Sequence, residues 1–281
     1  MSAFFLNRQI AFLTQHGKQT PVRRILEPAL GCVIRHETGF NTDLLGTFSR
    51  EIERVGSQLD AARRKAQLAM ELSGLSLGLG SEGTFASDPY TGMFSWDYEV
   101  LLLMDRTTGI EIVGRAQGGA HHAHLLAANW PELEAFARRE GFPEHGLVLR
   151  PESEKDERIE KDFTSWAALQ ERFLHLQGVS GNGKVFAEAD LRAHANPTRM
   201  AIIELAARDL VKRATSLCPA CDLPGYAAVE AVRGLPCRDC GTPTDLLTGE
   251  VWQCTPCGYR TTVRREMSGL ADARFCPVCN P

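Results

Sequence analysis

The stretch LCPACDLPGY, residues 217–226, opens the part of the chain in which cysteine is concentrated. Its Cys-x-x-Cys spacing occurs four times, so that eight of the nine cysteines in the 281-residue chain lie after residue 217. The four pairs are Cys218/Cys221, Cys237/Cys240, Cys254/Cys257 and Cys276/Cys279. The remaining cysteine, Cys32, lies far from them in the sequence. This pattern decides how the last quarter of the chain folds.

The four pairs predict two structural zinc ions, each bound by four cysteines. A Cys-x-x-Cys turn places two sulfur atoms on one side of a tight loop, so two such turns complete a tetrahedral thiolate site. Sequential pairing of the first with the second turn and the third with the fourth is favoured, because both intervals suit zinc ribbons. Nested pairing is also plausible, since residues 237–259 resemble a ribbon by themselves. Crossed pairing is the least expected, although spacing does not exclude it.

Four thiolates leave no open position for water or substrate, so a structural role is favoured for the zinc-ribbon module. An iron–sulfur cluster is a minor alternative. The module could also bind a protein or a nucleic acid. Residues 214–281 contain six arginines and no lysine against seven acidic residues, which favours protein contact over nucleic acid.

Composition narrows the class of protein. The chain is 43% hydrophobic and 23% charged with a net charge of −4, which indicates a folded protein without a general affinity for nucleic acid. The first residues lack the pattern of a signal peptide, and no stretch reaches the length of a membrane span. We therefore expect a cytoplasmic protein with no membrane partner, in which reduced thiols bind metal instead of forming disulfides.

Residues 1–213 predict an α/β domain with a mixed sheet flanked by helices, followed by the zinc module at 214–281. Apolar runs of strand length, such as QIAFLTQ and GCVIRHE, alternate with helical patterns. Ser57 and Gly74 bound a helix in SQLDAARRKAQLAMELSG, and Thr20 with Pro21 suggests another helix start. The segment YEVLLLMDRTTGIEIVGRA predicts a hairpin.

Three loops at strand ends carry candidate site residues. Lys18 follows a histidine and a glycine in a turn that could bind phosphate, although an ordinary solvated turn is equally plausible. Glu82 lies in the segment GLGSEGTF, which we expect to be a strand that opens into a glycine-rich turn. The third loop contains His121, His122 and His124. Histidines at this density could bind metal or act in acid–base chemistry, although a solvated loop is the more common outcome.

Further polar residues could contribute to a site. Glu51, Glu53 and Asp60 precede or begin the long helix, and with Glu82 they could bind Mg²⁺. The stretch EADLRAHANPTRM, residues 188–200, is either an ion-pair network or part of a site. Within it, Asn196 and Pro197 predict the start of a helix that leads to Cys218.

Nearly the whole chain resembles a bacterial family known only as a domain of unknown function. The segments that carry this resemblance are HGK, NTDLLGTFSREIER, KAQLAMELSGLSLGLGSEGTF, DLRAHANPTRM, LCPACDLPGY, GLPCRDCGTPT and FCPVCNP. This resemblance supports the boundaries but implies no activity.

The first 120 residues also resemble the house-cleaning triphosphatases of inosine and xanthosine nucleotides. The helix segment DAARRKA, the acidic segment GLGSEGTF and the following hairpin carry this resemblance. It implies that Lys18 and Lys65 contact phosphates and that Asp60 and Glu82 bind Mg²⁺. The first loop departs from that family in reading TQHGK, and the base-recognition signature is missing.

Two functions follow as hypotheses. The first is an Mg²⁺-dependent hydrolase of nucleotides or related phosphates, in which Lys18, Asp60, Lys65 and Glu82 are catalytic and the zinc module is structural. The second is a non-catalytic binding module whose zinc ribbons contact a protein or a nucleic acid. Convergence of the four catalytic candidates on one cleft would favour the first.

Overall fold

The computed structural model describes residues 3–40, 56–264 and 269–281. The helices are α1 Gln19–Leu30, α2 Gln58–Ser73, α3 Trp130–Arg139, α4 Trp166–Val179 and α5 Pro197–Ala214. The strands are β1 Gln9–Leu13, β2 Val33–Glu37, β3 Leu77–Ser87, β4 Ser95–Asp105, β5 Ile110–Gly119, β6 His124–Ala127, β7 Leu147–Pro151, β8 Val185–Ala189, β9 Ala227–Arg233, β10 Leu247–Gln253 and β11 Arg260–Arg264. No helix in these parts of the chain combines the length and apolar character needed to cross a membrane.

The main sheet is mixed and has the order β2-β1-β3-β4-β5. Strand β1 pairs in parallel with β2 and β3, whereas β3, β4 and β5 form an antiparallel meander. Helices α1 and α5 pack on one face, where Leu26, Leu101 and Leu210 belong to the largest core cluster. Helix α2 packs on the other face, where Ala62 contacts the cluster around Leu102. The sequence-based expectation of a mixed sheet flanked by helices is confirmed.

Helix α2 lies unusually close to β3, because glycines form the strand surface beneath it. A Cβ atom on Gly80 would lie 1.9 Å from the carbonyl oxygen of Ala62, and one on Gly78 would lie 2.3 Å from that of Ala66. Both positions therefore require a residue without a side chain. These glycines do not begin a turn: β3 continues to Ser87 because it pairs with β4 along its whole length. The expectation that Glu82 lies in a turn is wrong.

The helix ends test the expected capping residues. Ser57 caps α2 in a capping box, and Gly74 ends the helix with a φ of 73°, as predicted. Helix α1 instead begins at Gln19, with Lys18 at the N-cap and no side-chain cap hydrogen bond. Thr20 therefore lies inside the first turn, and its expected capping role is wrong.

A second sheet, with the order β6-β8-β7, is antiparallel and has its own core. Leu133 and Phe136 of α3 and Phe173 of α4 are buried in that core. The sequence pattern did not separate this sheet from the main one, because its strands are short and alternate with helices in the same way.

The C-terminal module is built around the antiparallel sheet β11-β10-β9. It follows α5 directly and contacts the body through its first turn. Leu223 packs against the main core, and Gly225, with a φ of 99°, lies against Ile112 of β5. A side chain at Gly225 would meet Ile112 at 2.9 Å, so this contact requires glycine.

Candidate functional site

The eight cysteines of the module form two groups of four. One group contains Cys218, Cys221, Cys254 and Cys257, and the other contains Cys237, Cys240, Cys276 and Cys279. In each group the four Sγ atoms lie within 4.8 Å of one another, and the closest pairs across turns are separated by 3.6–3.9 Å. Tetrahedral zinc with four thiolates requires sulfur atoms about 3.8 Å apart. The donor type, number and spacing therefore fit one zinc ion per group.

The pairing is crossed, so the favoured sequential pairing is wrong. Strand β9 separates the first turn from the second, β10 separates the second from the third, and β11 separates the third from the fourth. Because these strands are antiparallel, the chain reverses direction at each step. The first and third turns therefore meet at one end of the sheet, and the second and fourth meet at the other, about 20 Å away. Each interval between turns contains one strand, but the antiparallel direction of successive strands, which decides the pairing, is not visible in the spacing.

We expect protein purified without chelator to contain about two zinc ions per chain, because each group offers a complete set of four thiolates. Elemental analysis by mass spectrometry measures this ratio directly. A predominance of iron, or disulfides in freshly purified protein, would contradict the assignment.

A second cluster of functional groups lies where β1 ends and β3 continues past it. Lys18, in the turn between β1 and α1, is only 6% exposed and donates a hydrogen bond to Oγ of Ser81, at 3.3 Å. On the other face of the sheet, Nζ of Lys65 in α2 lies 2.5 Å from Oε2 of Glu82. The structure thus brings three of the four predicted catalytic residues to one region.

Lys18 is electrostatically perturbed by this environment. Burial, followed by repulsion from Arg199, lowers the pKa of Lys18 from 10.5 to about 8. Lys65 lowers it further, whereas Glu99 and Glu82 raise it. Charges on both faces of the sheet therefore change the pKa of Lys18, as expected for a side chain beside the open edge of β3.

Asp60, the fourth predicted residue, does not join this cluster. Its carboxylate accepts hydrogen bonds from the backbone and hydroxyl of Ser57 and pairs with Arg63 at 2.8 Å. The hydrogen bonds from Ser57 lower the pKa of Asp60. Its position is that of a capping residue of α2. Glu51 and Glu53, the other acidic candidates, lie outside the described residues.

The cluster also contains charged residues that the sequence analysis did not select as catalytic. Nε of Arg199 lies 2.6 Å from Oε1 of Glu99, and both side chains are at least 98% buried. A Cβ atom on Gly83 would lie 2.3 Å from Glu99 Oε1, so the missing side chain gives this ion pair its space. Asp97 is also fully buried, two residues before Glu99 on β4. In SWDYEV the two acids alternate with aromatic residues, but an acid in a strand normally faces solvent, so this pattern alone does not indicate a buried pair.

The predicted histidine loop does not form a metal cluster among the residues that the structure describes. His121 lies 3.6 Å from Glu140, His122 contacts Phe85, and His124 stacks on Phe186. The three imidazoles therefore have different surroundings. Nothing in their arrangement indicates a shared ligand.

The polar stretch at 188–200 contains an ion-pair network and one residue of the charged cluster. Arg192 pairs with Asp190 at 2.6 Å and with Asp162 at 2.5 Å. Arg199 instead reaches Glu99 in the main sheet. The ion-pair alternative therefore describes Arg192, and a functional site at this stretch stays a prediction.

The structure defines a class of protein: an α/β body with a buried charged cluster, joined to a module with two crossed four-cysteine sites. The chain belongs to the family described as Domain of unknown function (DUF6671), whose model matches residues 65–281. Comparison with curated proteins and comparison with solved structures each give no match. The matched range contains all eight cysteines of the module together with Lys65, Glu82, Asp97, Glu99 and Arg199.

Proposed function

We propose that the protein is a hydrolase of nucleotides or related phosphate compounds that uses a divalent cation, with zinc in a structural role. The observation that supports this most is the buried Lys18 beside the Lys65–Glu82 and Arg199–Glu99 pairs. These groups surround the part of β3 that lies beyond the carboxyl end of β1, and open α/β sheets bind ligands beyond the carboxyl ends of their parallel strands.

Lys18 is the principal candidate for phosphate binding. Its ammonium group lies where few water molecules compete, so its attraction to a phosphate is stronger than at the surface. It also lies at the start of α1, and the backbone N–H groups of a helix N-terminus favour an anion. A bound phosphate would stabilise the ammonium form and raise the pKa of Lys18.

The proton transfer can be assigned to the substrate. In hydrolysis, the oxygen of a water molecule bonds to phosphorus while the bond to the leaving oxygen breaks, and the water proton passes to a nearby base. A non-bridging oxygen of the phosphate is the candidate for that base, because Glu82 lies on the opposite face of the sheet from Lys18, with its Oε2 atom bound to Lys65 at 2.5 Å. A divalent cation would neutralise the charge that accumulates on the phosphate oxygens.

We expect zinc-loaded protein with Mg²⁺ to hydrolyse at least one member of a panel of nucleoside mono-, di- and triphosphates and simple phosphate esters. Lys18→Met should lower kcat/KM by about 100-fold or more, because it removes a buried cation from the developing charge. Release of phosphate or pyrophosphate is the measurement. Lys212→Met removes an exposed lysine of α5 and should leave the rate unchanged.

The pH dependence offers an internal check. Lys18 is charged below its pKa of about 8 and loses its charge above it, so kcat/KM of the wild type should fall as the pH rises through 8. Absence of turnover on the entire panel, at any pH from 6 to 9, would rule out the proposed hydrolase activity.

A further inference from the structure

Two acidic residues of β4 lie side by side on one face of the main sheet. Asp97 and Glu99 are two residues apart, so both point toward the α5 side, with Cα atoms about 7 Å apart. Asp97 is 0% exposed and Glu99 is 1% exposed. Glycines lie opposite both residues: Gly83 on β3 admits the side chains of Glu99 and Arg199, and Gly118 on β5 lies beside Asp97.

Three of the four carboxylate oxygens have no hydrogen-bond partner among the residues that the structure describes. Arg199 binds Oε1 of Glu99, whereas Oε2 of Glu99 and both oxygens of Asp97 remain buried and unpaired. Burying one such polar group without a partner costs about 1–3 kcal/mol, and an uncompensated charge costs more. Three buried oxygen atoms of this kind in one place require an explanation.

Protonation of Asp97 is an incomplete explanation. Burial, together with the neighbouring charge of Glu99, raises the pKa of Asp97 from 3.8 to about 8. A proton removes the charge, but the resulting hydroxyl still needs an acceptor and the remaining carbonyl still needs a donor. A bound cation with its water molecules would satisfy both oxygens of Asp97 and the free oxygen of Glu99.

We propose that Asp97 and Glu99 bind a divalent cation of the Mg²⁺ and Mn²⁺ class. All three available atoms are carboxylate oxygens, the ligands that these hard cations prefer. The cation site extends the proposed function and rests on it, because the same cluster would bind the phosphate compound that is hydrolysed. Arg199 keeps its bond to the other oxygen of Glu99, and Lys18 is near enough for its charge to lower the pKa of Asp97.

This location differs from the one that the sequence suggested. Glu82 pairs with Val100 across β3 and β4, so it lies on the α2 face, opposite Asp97 and Glu99. Its Oε2 atom is already bound to Lys65. Glu82→Gln is therefore a matched control for Asp97→Asn: each change replaces one buried carboxyl group by an amide of nearly the same shape, on opposite faces of the sheet.

In the experiment, zinc-loaded protein is titrated with Mn²⁺ in the absence of substrate. Binding is measured as the loss of the electron paramagnetic resonance signal of free Mn²⁺. Mn²⁺ binds nitrogen and sulfur ligands more weakly than zinc, so it leaves the cysteine sites intact. The wild type and Glu82→Gln should each bind one Mn²⁺ per chain. Asp97→Asn should weaken binding at least tenfold.

Thermal unfolding separates loss of the site from loss of the fold. Below pH 8 and without Mn²⁺, Asp97→Asn should melt near the wild-type temperature, because the amide replaces a carboxyl group of similar shape that burial keeps largely protonated. Saturating Mn²⁺ should raise the melting temperature of the wild type but not that of Asp97→Asn. Wild-type protein that binds no Mn²⁺, or Asp97→Asn that binds with wild-type affinity, overturns the proposal.

The outcome is independent of the search for hydrolysis. Mn²⁺ binding through Asp97 without hydrolysis of any member of the phosphate panel would support the cation site and contradict the hydrolase activity. Hydrolysis of a phosphate by the wild type, together with unchanged Mn²⁺ affinity of Asp97→Asn, would support the hydrolase activity and contradict this cation site.

Discussion

Removal of zinc is expected to unfold residues 214–281 and to leave the α/β body largely folded. The module has a small apolar core, in which Tyr226 packs with Cys218 and Cys254, so it depends on metal for most of its stability. Structural zinc contributes on the order of 10 kcal/mol to modules of this size. The body has two large cores in which no zinc ligand takes part.

Limited proteolysis after treatment with a zinc-selective chelator measures this effect. New cleavage should appear beyond residue 214, while a fragment that contains the body resists digestion. Restoring zinc to the same sample should restore protection. Cleavage spread evenly over the whole chain would show instead that body and module unfold as one cooperative unit, joined through Leu223 and Gly225.

Substitution of Gly80 by alanine is expected to destabilise the body by about 3 kcal/mol, the upper range for overpacking a core. The added methyl group would lie 1.9 Å from the carbonyl oxygen of Ala62, so helix α2 must move away from β3. Because α2 carries Lys65, the displacement should also separate Lys65 from Glu82. Chemical denaturation followed by circular dichroism measures the change in the free energy of unfolding.

Gly178→Ala is the matched control for that substitution. Gly178 lies in α4, is exposed, and has no atom within 4 Å of the position that a Cβ would take. Alanine there should be neutral or stabilise by about 0.5–1 kcal/mol, because it favours the helix. Equal stability of Gly80→Ala and the wild type would show that α2 can shift without loss of packing.

The sequence predicted those features that depend on local pattern. The spacing of the cysteines identified all eight ligand candidates, and Ser57 and Gly74 marked the ends of α2. Local pattern predicted the wrong backbone structure at Glu82. The glycines in GLGSEGTF suggest a turn, but in the structure they allow helix α2 to pack closely against strand β3. The crossed pairing of the zinc sites also escaped, since it depends on the direction of three strands and not on the length of the intervals.

The charged site was predictable only in part, for a related reason. Lys18 and Glu82 were selected as polar residues at expected strand ends and Lys65 through resemblance, and the fold brings them to one region. Asp97 and Glu99 attracted no attention, because an acid in a strand normally faces solvent. Their burial arises from α5, which follows them by about a hundred residues and covers that face of β4 with Arg199. Contacts at such separation leave no periodic signal in one sequence.

The crossed zinc sites have a consequence for how the module can be divided. The segments spanned by the two sites, 218–257 and 237–279, overlap, so a break in the chain between Cys240 and Cys254 leaves each metal ion holding one fragment to the other. A nicked module should therefore stay assembled for as long as its zinc remains. The same overlap means that neither half is a complete unit. Duplication, deletion or exchange of this module during evolution must therefore involve all four turns together.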